Sequence, residues 1–66
     1  MKWTTKPDGH EYAKYKKCHL RMRHVQTGWI ISRQVLPTLG GMTWEFVAGH
    51  QKRETAIAKA REILCD

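Results

Sequence analysis

Basic side chains are concentrated in the middle of this sequence, and their chemistry is that of phosphate binding. No Asp or Glu occurs from Tyr12 to Trp44, and the 66-residue chain carries a formal charge of +6. Lys and Arg neutralise phosphates, whereas Arg and Gln can also reach the edges of bases. The charge therefore predicts an anionic partner. We expect it to contact Lys14, Lys16, Lys17, His19, Arg21, Arg23, Arg33 and Gln34.

Histidines and cysteines suggest a metal site, but their spacing does not support one. The sequence contains no Cys-x-x-Cys or Cys-x-x-His motif, and such spacing is what makes a zinc motif specific. Cys18 and His19 are neighbours on a predicted strand, so they point to opposite faces. Cys18 is best explained as a small apolar core residue. We expect no metal, no cofactor and no disulfide between Cys18 and Cys65.

The residue types needed for catalysis are present only as scattered single side chains. Glu11, Glu45, Glu54 and Glu62 fall on different predicted elements, and no nucleophile is placed with a base. Gly40-Gly41 lies between strands and is not a phosphate loop at the start of a helix. A chain of this length buries only about 60% of its surface on folding, which leaves little room for a substrate cavity. The sequence therefore predicts a binding protein and no enzyme.

A long β-hairpin is predicted to position the basic residues. Cys18, Leu20 and Met22 alternate with polar side chains, which is the period of a strand with one buried face. The first strand is expected from Tyr12 to Val25, and the second follows Gln26-Thr27-Gly28 and ends at Pro37.

The register of this hairpin follows from the side chains that it would pair. A two-residue loop at Thr27-Gly28 would pair Met22 with Arg33 and Arg21 with Gln34. A loop one residue longer would place Arg21 opposite Arg33, and like charges in that position are destabilising. We therefore favour the two-residue loop.

A third strand and a helix complete the predicted fold. Met42, Trp44 and Phe46 alternate with Thr43, Glu45 and Val47, so the strand from Met42 to Ala48 is expected to turn its aromatic face to the core. From about Gln51 to Cys65 an apolar stripe recurs at helical spacing. Its members are Ala56, Ile57, Ala60, Ile63 and Leu64.

These elements predict an α+β fold, a three-stranded antiparallel sheet with one C-terminal helix packed on one face. The helix would cover Leu20, Met22, Ile31, Val35, Trp44 and Phe46. The other face would stay open and carry His19, Arg21, Arg23, Ser32, Gln34, Thr43 and Glu45.

Residues 12–66 form the single domain in this scheme. Residues 1–11 are expected to be a flexible arm, or a short hairpin closed by the turn Pro7-Asp8-Gly9.

The basic hairpin and the helical ending RETAIAKAREIL support a resemblance in topology and charge. The order strand-strand-strand-helix over residues 12–64 resembles the arm-binding N-terminal domains of tyrosine-family integrases. It is also similar to plant ethylene-response-type DNA-binding domains and, less closely, to a double-stranded RNA-binding domain without its first helix. The first two families imply that the open sheet face enters the major groove of a duplex. The resemblance therefore favours DNA over RNA as the ligand.

Apolar residues on the predicted open face keep a second function open. Val25, Ile30, Leu36 and Val47, together with Glu45, depart from a purely basic surface. Such a patch ringed by Arg is typical of protein interfaces. The alternative is therefore a regulatory module that docks on an acidic protein through the same face, or a homodimer.

The location follows from what the sequence lacks. Met1-Lys2-Trp3 leads directly into polar residues without the apolar segment of a signal peptide. No apolar run approaches the ~18 residues of a membrane span. We expect a cytoplasmic protein without a membrane partner.

Overall fold

In the part of the chain that the structure describes, five antiparallel strands and one helix form this α+β fold, and the strands lie side by side in chain order. The computed structural model describes residues 2–35 and 43–64. The α+β class and the C-terminal helix on the sheet are confirmed, but the predicted number of strands is wrong. Predictions for Leu36, Pro37, Met42 and Cys65 lie outside the described residues. The elements are β1 Thr4–Thr5, β2 Glu11–Tyr15, β3 Cys18–Val25, β4 Gly28–Val35, β5 Thr43–His50 and α1 Arg53–Ile63.

The first hairpin supplies one of the two additional strands. β1 pairs with the start of β2, placing Thr4 opposite Tyr12. The Lys6 amide donates to the His10 carbonyl at 2.9 Å, and the Gly9 amide donates to the Lys6 carbonyl at 2.9 Å. Gly9 has φ +87°, which glycine adopts without the steric cost of a side chain. The Pro7-Asp8-Gly9 turn thus connects β1 to β2, and β1 pairs with β2 at the edge of the sheet.

The second additional strand arises because the predicted first strand is interrupted. The chain reverses at Lys16-Lys17, between β2 and β3, and Lys16 has φ +56°. A side chain in this left-handed region costs about 1–2 kcal/mol, so sequence rules place Gly or Asn there. The paired strands on either side hold the turn, with Tyr15 opposite Cys18.

The β3–β4 hairpin has a register two residues away from the predicted one. Val25 lies opposite Gly28, so the loop is Gln26-Thr27. A shift of two residues leaves every side chain on its predicted face. Gly28 belongs to β4 with φ +142°, and a Cβ atom there would lie 2.4 Å from the His50 carbonyl oxygen. The glycine is therefore needed where two strands approach closely.

A β-bulge in β5 changes which of its residues face the helix. Ile31 lies opposite Ala48 and Ser32 opposite Phe46, which leaves Val47 as an extra residue. Ala48 therefore faces the helix, while Trp44 and Phe46 face the other way. The prediction of an aromatic core face was wrong, because simple alternation assumes a ladder without a bulge.

The core lies between the helix and the strands. Leu20, Met22 and Ile31 are at most 1% exposed, and Ala56 and Ala60 of α1 are fully buried against them. Small side chains let α1 lie close to β4 and β5. Glu54 in the first turn and Arg61 in the last complement the helix dipole. Ile63 was predicted to be buried but is 55% exposed.

Candidate nucleic-acid interface

The sheet face that α1 does not cover is the candidate site, and we call it the open face. Side chains of adjacent paired residues share a face, so the ladder registers define it. One row across four strands runs Tyr12, Arg21, Ser32, Phe46. The next row runs Lys14, His19, Gln34, Trp44. Arg23, Val25 and Ile30 extend the face towards the β3–β4 loop.

Tyr12 and Trp44 form an aromatic pair across the centre of the open face. Their ring centroids are 6.1 Å apart with planes tilted by 58°. The Arg21 guanidinium carbon lies 4.5 Å from the Trp44 ring centroid, and Lys6 Nζ lies 4.5 Å from the Tyr12 centroid. A cation over an aromatic face is attracted by the ring quadrupole. Lys6, Tyr12 and Trp44 line a cleft of about 250 Å³ together with His19, Gln34 and two apolar residues.

The ion pairs of Glu11 and Glu45 lie on the helix side of the sheet. Glu45 accepts a hydrogen bond from Arg33 Nη2 at 3.2 Å, and Glu11 accepts one from Arg53 Nη2 at 2.7 Å. The hydrogen bond that Arg53 donates to Glu11 raises the pKa of Arg53. Glu45 and Thr43 had been predicted on the open face, and the bulge explains the correction. Val47 likewise packs against the core instead of lying on the open face.

One carboxylate does approach the open face, at its β1–β2 end. Asp8 Oδ2 accepts a hydrogen bond from the Tyr12 hydroxyl at 2.5 Å, and Oδ1 accepts one from the His10 amide at 2.8 Å. The bond from Tyr12 is the larger cause that lowers the pKa of Asp8 from its ordinary 3.8. The same bond raises the pKa of Tyr12 from 10.0. Both carboxylate oxygens of Asp8 thus accept a hydrogen bond, one from Tyr12 and one from His10.

The predicted site residues separate into three groups. The largest group lies on the open face and consists of Lys14, His19, Arg21, Arg23 and Gln34. Exposed side chains in the β2–β3 turn form the second group, Lys16 and Lys17. Arg33 stands apart, because it is on the helix side and paired with Glu45.

Four residues of the open face were missed by sequence reasoning. Lys6 and Tyr12 fell at the edge of the expected arm, and Trp44 and Phe46 were assigned to the core. The alternation of Trp44 and Phe46 indicated that both share a face, which is correct. No sequence pattern indicated the bulge, which places Trp44 and Phe46 on the open face and not in the core.

Within the described residues, two arginines of the open face have no carboxylate partner, although the Arg21 guanidinium lies over the Trp44 ring. The Nε atoms of Arg21 and Arg23 are buried without a hydrogen-bond acceptor, and neither side chain has a carboxylate partner there. Buried donors are usually satisfied by protein, water or ligand. Because no carboxylate occupies them in the described residues, these two guanidinium groups can donate hydrogen bonds to an anionic partner.

An apolar groove occupies the end of the open face near the β3–β4 loop. Val25, Ile30 and Phe46 form its apolar side, Thr27, His50 and Gln51 contribute polar groups, and its volume is about 510 Å³. Phe46 is 63% exposed. The face therefore combines a basic region on β2 and β3 with an apolar region on β4 and β5.

The histidines do not assemble a metal site in the described part of the chain. His24 stacks on Trp29 with ring centroids 4.1 Å apart. His50 Nδ1 accepts the Lys52 amide at 3.2 Å. Within residues 2–35 and 43–64, no three His, Cys, Asp or Glu side chains come together as metal ligands would.

Comparison of the chain with protein-family models, with curated proteins and with solved structures gave no match. The resemblance to integrase arm-binding domains therefore stays a prediction. Within the described ranges, no helix has the length and apolar character needed to cross a membrane.

Proposed function

We propose that this protein binds nucleic acid through the open face, with DNA ahead of RNA as the ligand and the cytoplasm as its location. The observation that carries the proposal is the pair Arg21 and Arg23, two guanidinium groups on one face without carboxylate partners in the described residues. They are about 6–7 Å apart along β3. Phosphate oxygens are suitable acceptors for such donors.

The surrounding cations extend this surface along β2. Lys14 lies in the row next to Arg21, and Lys16 and Lys17 occupy the adjoining turn. A ligand that contacts roughly 3–5 phosphates here should lose affinity with a log–log salt slope of about −3 to −4. A lone module of this kind has a small footprint, which favours a dimer or a larger complex as the working form.

The test is fluorescence anisotropy with labelled duplex DNA, single-stranded DNA and RNA at ~50 mM and ~200 mM salt. We expect binding that weakens steeply with salt. Replacing Arg21 and Arg23 by Ala should abolish most of it. The matched control is Lys52→Ala with Lys59→Ala, which removes the same charge from exposed positions at the helix. Equal losses in both double variants would reduce the effect to net charge and contradict a site on the open face.

A second candidate is supported by the apolar side of this groove, formed by Val25, Ile30 and Phe46. An acidic protein could place apolar side chains in the groove and carboxylates on Arg21 and Arg23. Burial of apolar surface is much less sensitive to salt than phosphate binding. If no nucleic acid binds at micromolar protein and low salt, the nucleic-acid proposal fails and this candidate replaces it.

A further inference from the structure

We infer that the ligand of the open face is a single strand, and that one of its bases stacks on Phe46. This inference rests on the proposed function and specifies the form of the nucleic acid. The ring of Phe46 is 63% exposed on β5, the edge strand of the sheet, where it lies beside Val25 and Ile30 in one groove. Val25, Ile30 and Phe46 form a contiguous apolar patch with Arg23 opposite Ile30, and an exposed apolar patch rimmed by polar residues marks an interaction site.

Phe46 differs from the other two aromatic residues of the face. Tyr12 and Trp44 contact each other, and each has a cation over its ring. Phe46 has no ring or cation partner among the described residues. It is therefore the aromatic face that remains available to a ligand.

The backbone beneath Phe46 supports its ring as a platform. A Cβ atom built on Gly49 would lie 3.5 Å from Phe46 Cε2 and 3.7 Å from Ile30 Cγ1. The ring thus lies against a position without a side chain, beside an apolar neighbour. Ser32, which pairs with Phe46 on β4, is small and buried, so it does not project over the ring.

The charges are placed to hold the backbone of a strand whose base reaches Phe46. Arg21 lies in the same row as Phe46, two strands away, at a spacing of about 9–10 Å. Arg23 occupies the next row along β3. A base on Phe46 and a phosphate at Arg21 or Arg23 would engage opposite ends of one nucleotide.

A duplex cannot use this arrangement as fully as a single strand can. Its base faces are stacked within the helix, and a protein in the groove meets only the base edges. A single strand exposes base faces, which stack on aromatic side chains irrespective of sequence. Positively charged grooves with aromatic platforms are the common design of single-strand binding surfaces.

The experiment compares an oligothymidylate of ~12 nucleotides with a duplex of equal length by anisotropy. Phe46→Leu removes the ring but keeps an apolar side chain. Loss of one base–aromatic stack is expected to weaken oligothymidylate binding about tenfold, whereas duplex binding should stay unchanged. Phe46→Trp should retain or improve the single-strand affinity. Ile63→Leu is the control, because Ile63 is also an exposed apolar residue but lies on the helix.

The outcomes separate this inference from the proposed function. Duplex binding that equals or exceeds single-strand binding, with Phe46→Leu neutral, would overturn the stacking inference and leave the nucleic-acid proposal intact. Oligothymidylate binding that Phe46→Leu does not weaken would also overturn it. Absence of binding to every probe would refute the proposed function itself.

Discussion

Ser32 lies opposite Phe46 across the β4–β5 ladder, although the preceding residue Ile31 lies opposite Ala48. The extra residue Val47 allows Ala48 to enter the core while Phe46 remains on the open face. One bulge therefore decides that an aromatic ring is available at the surface. Because of this bulge, Ala48 contributes to the stability of the core, whereas Phe46 is free to contribute to binding. The first prediction tests this division.

Phe46→Thr is expected to change the free energy of unfolding by less than about 0.5 kcal/mol, because its ring is 63% exposed. Threonine keeps the preference for a strand. Ile31→Ala, at a fully buried neighbour, should cost about 2–5 kcal/mol. Urea unfolding followed by circular dichroism measures both. A loss of several kcal/mol for Phe46→Thr would show that Phe46 belongs to the core, and its ring would then not be available to stack with a base.

The sequence predicts the arginine part of the face well and the aromatic part poorly. Leu20 and Met22 alternate with Arg21 and Arg23 in a strand without a bulge, so the period of two places all four correctly. The period also keeps Trp44 and Phe46 together. A bulge depends on packing of Val47 and Ala48 against elements distant in sequence, so local alternation does not reveal it.

Turns limited the prediction of the fold in a similar way. Lys16 reverses the chain with a positive φ, although nothing in Lys16-Lys17 resembles a turn motif. Strand pairing on both sides outweighs the local preference. Gly28 was expected within the loop, but its role is to let the His50 carbonyl approach β4. The helix was predicted correctly because Ala56 and Ala60 fix its buried side by local spacing alone.

Gly28 should be far less tolerant of substitution than Gly9. Both have positive φ, so Ala adds strain at either position. At Gly9 nothing lies within 4 Å of the added Cβ, whereas at Gly28 the His50 oxygen lies 2.4 Å from it. We expect Gly9→Ala to cost about 1 kcal/mol and Gly28→Ala to cost more than twice that. Thermal unfolding of the two variants provides the comparison, and similar melting temperatures would contradict the close approach of β5.

The ion pair of Glu11 with Arg53 is expected to stabilise the contact between the helix and β2. Arg53 donates to both carboxylate oxygens, at 2.7 and 3.4 Å, and the pair is partly buried. Glu11→Gln should lower stability by about 1 kcal/mol, or about 4–8 °C in melting temperature. Glu45→Gln is the matched control, because its pair with Arg33 has one contact and is more exposed. An equal loss for both variants would show that burial adds nothing to the first pair.

The hydrogen bond from Tyr12 to Asp8 predicts a pH dependence of the first hairpin. The pKa of Asp8 is lower in the folded protein than its ordinary 3.8. Its contribution to stability is therefore present above about pH 3.8 and is lost as the pH falls through the lowered pKa. Carbon-detected NMR of the Asp8 carboxyl should give a midpoint below 3.8, and Tyr12→Phe should raise this midpoint towards 3.8. Tyr12→Phe keeps the ring beside Trp44, so this variant removes only the hydroxyl. An Asp8 midpoint that Tyr12→Phe leaves unchanged would show that the hydroxyl does not hold the carboxylate, and that the turn is fixed by the His10 amide.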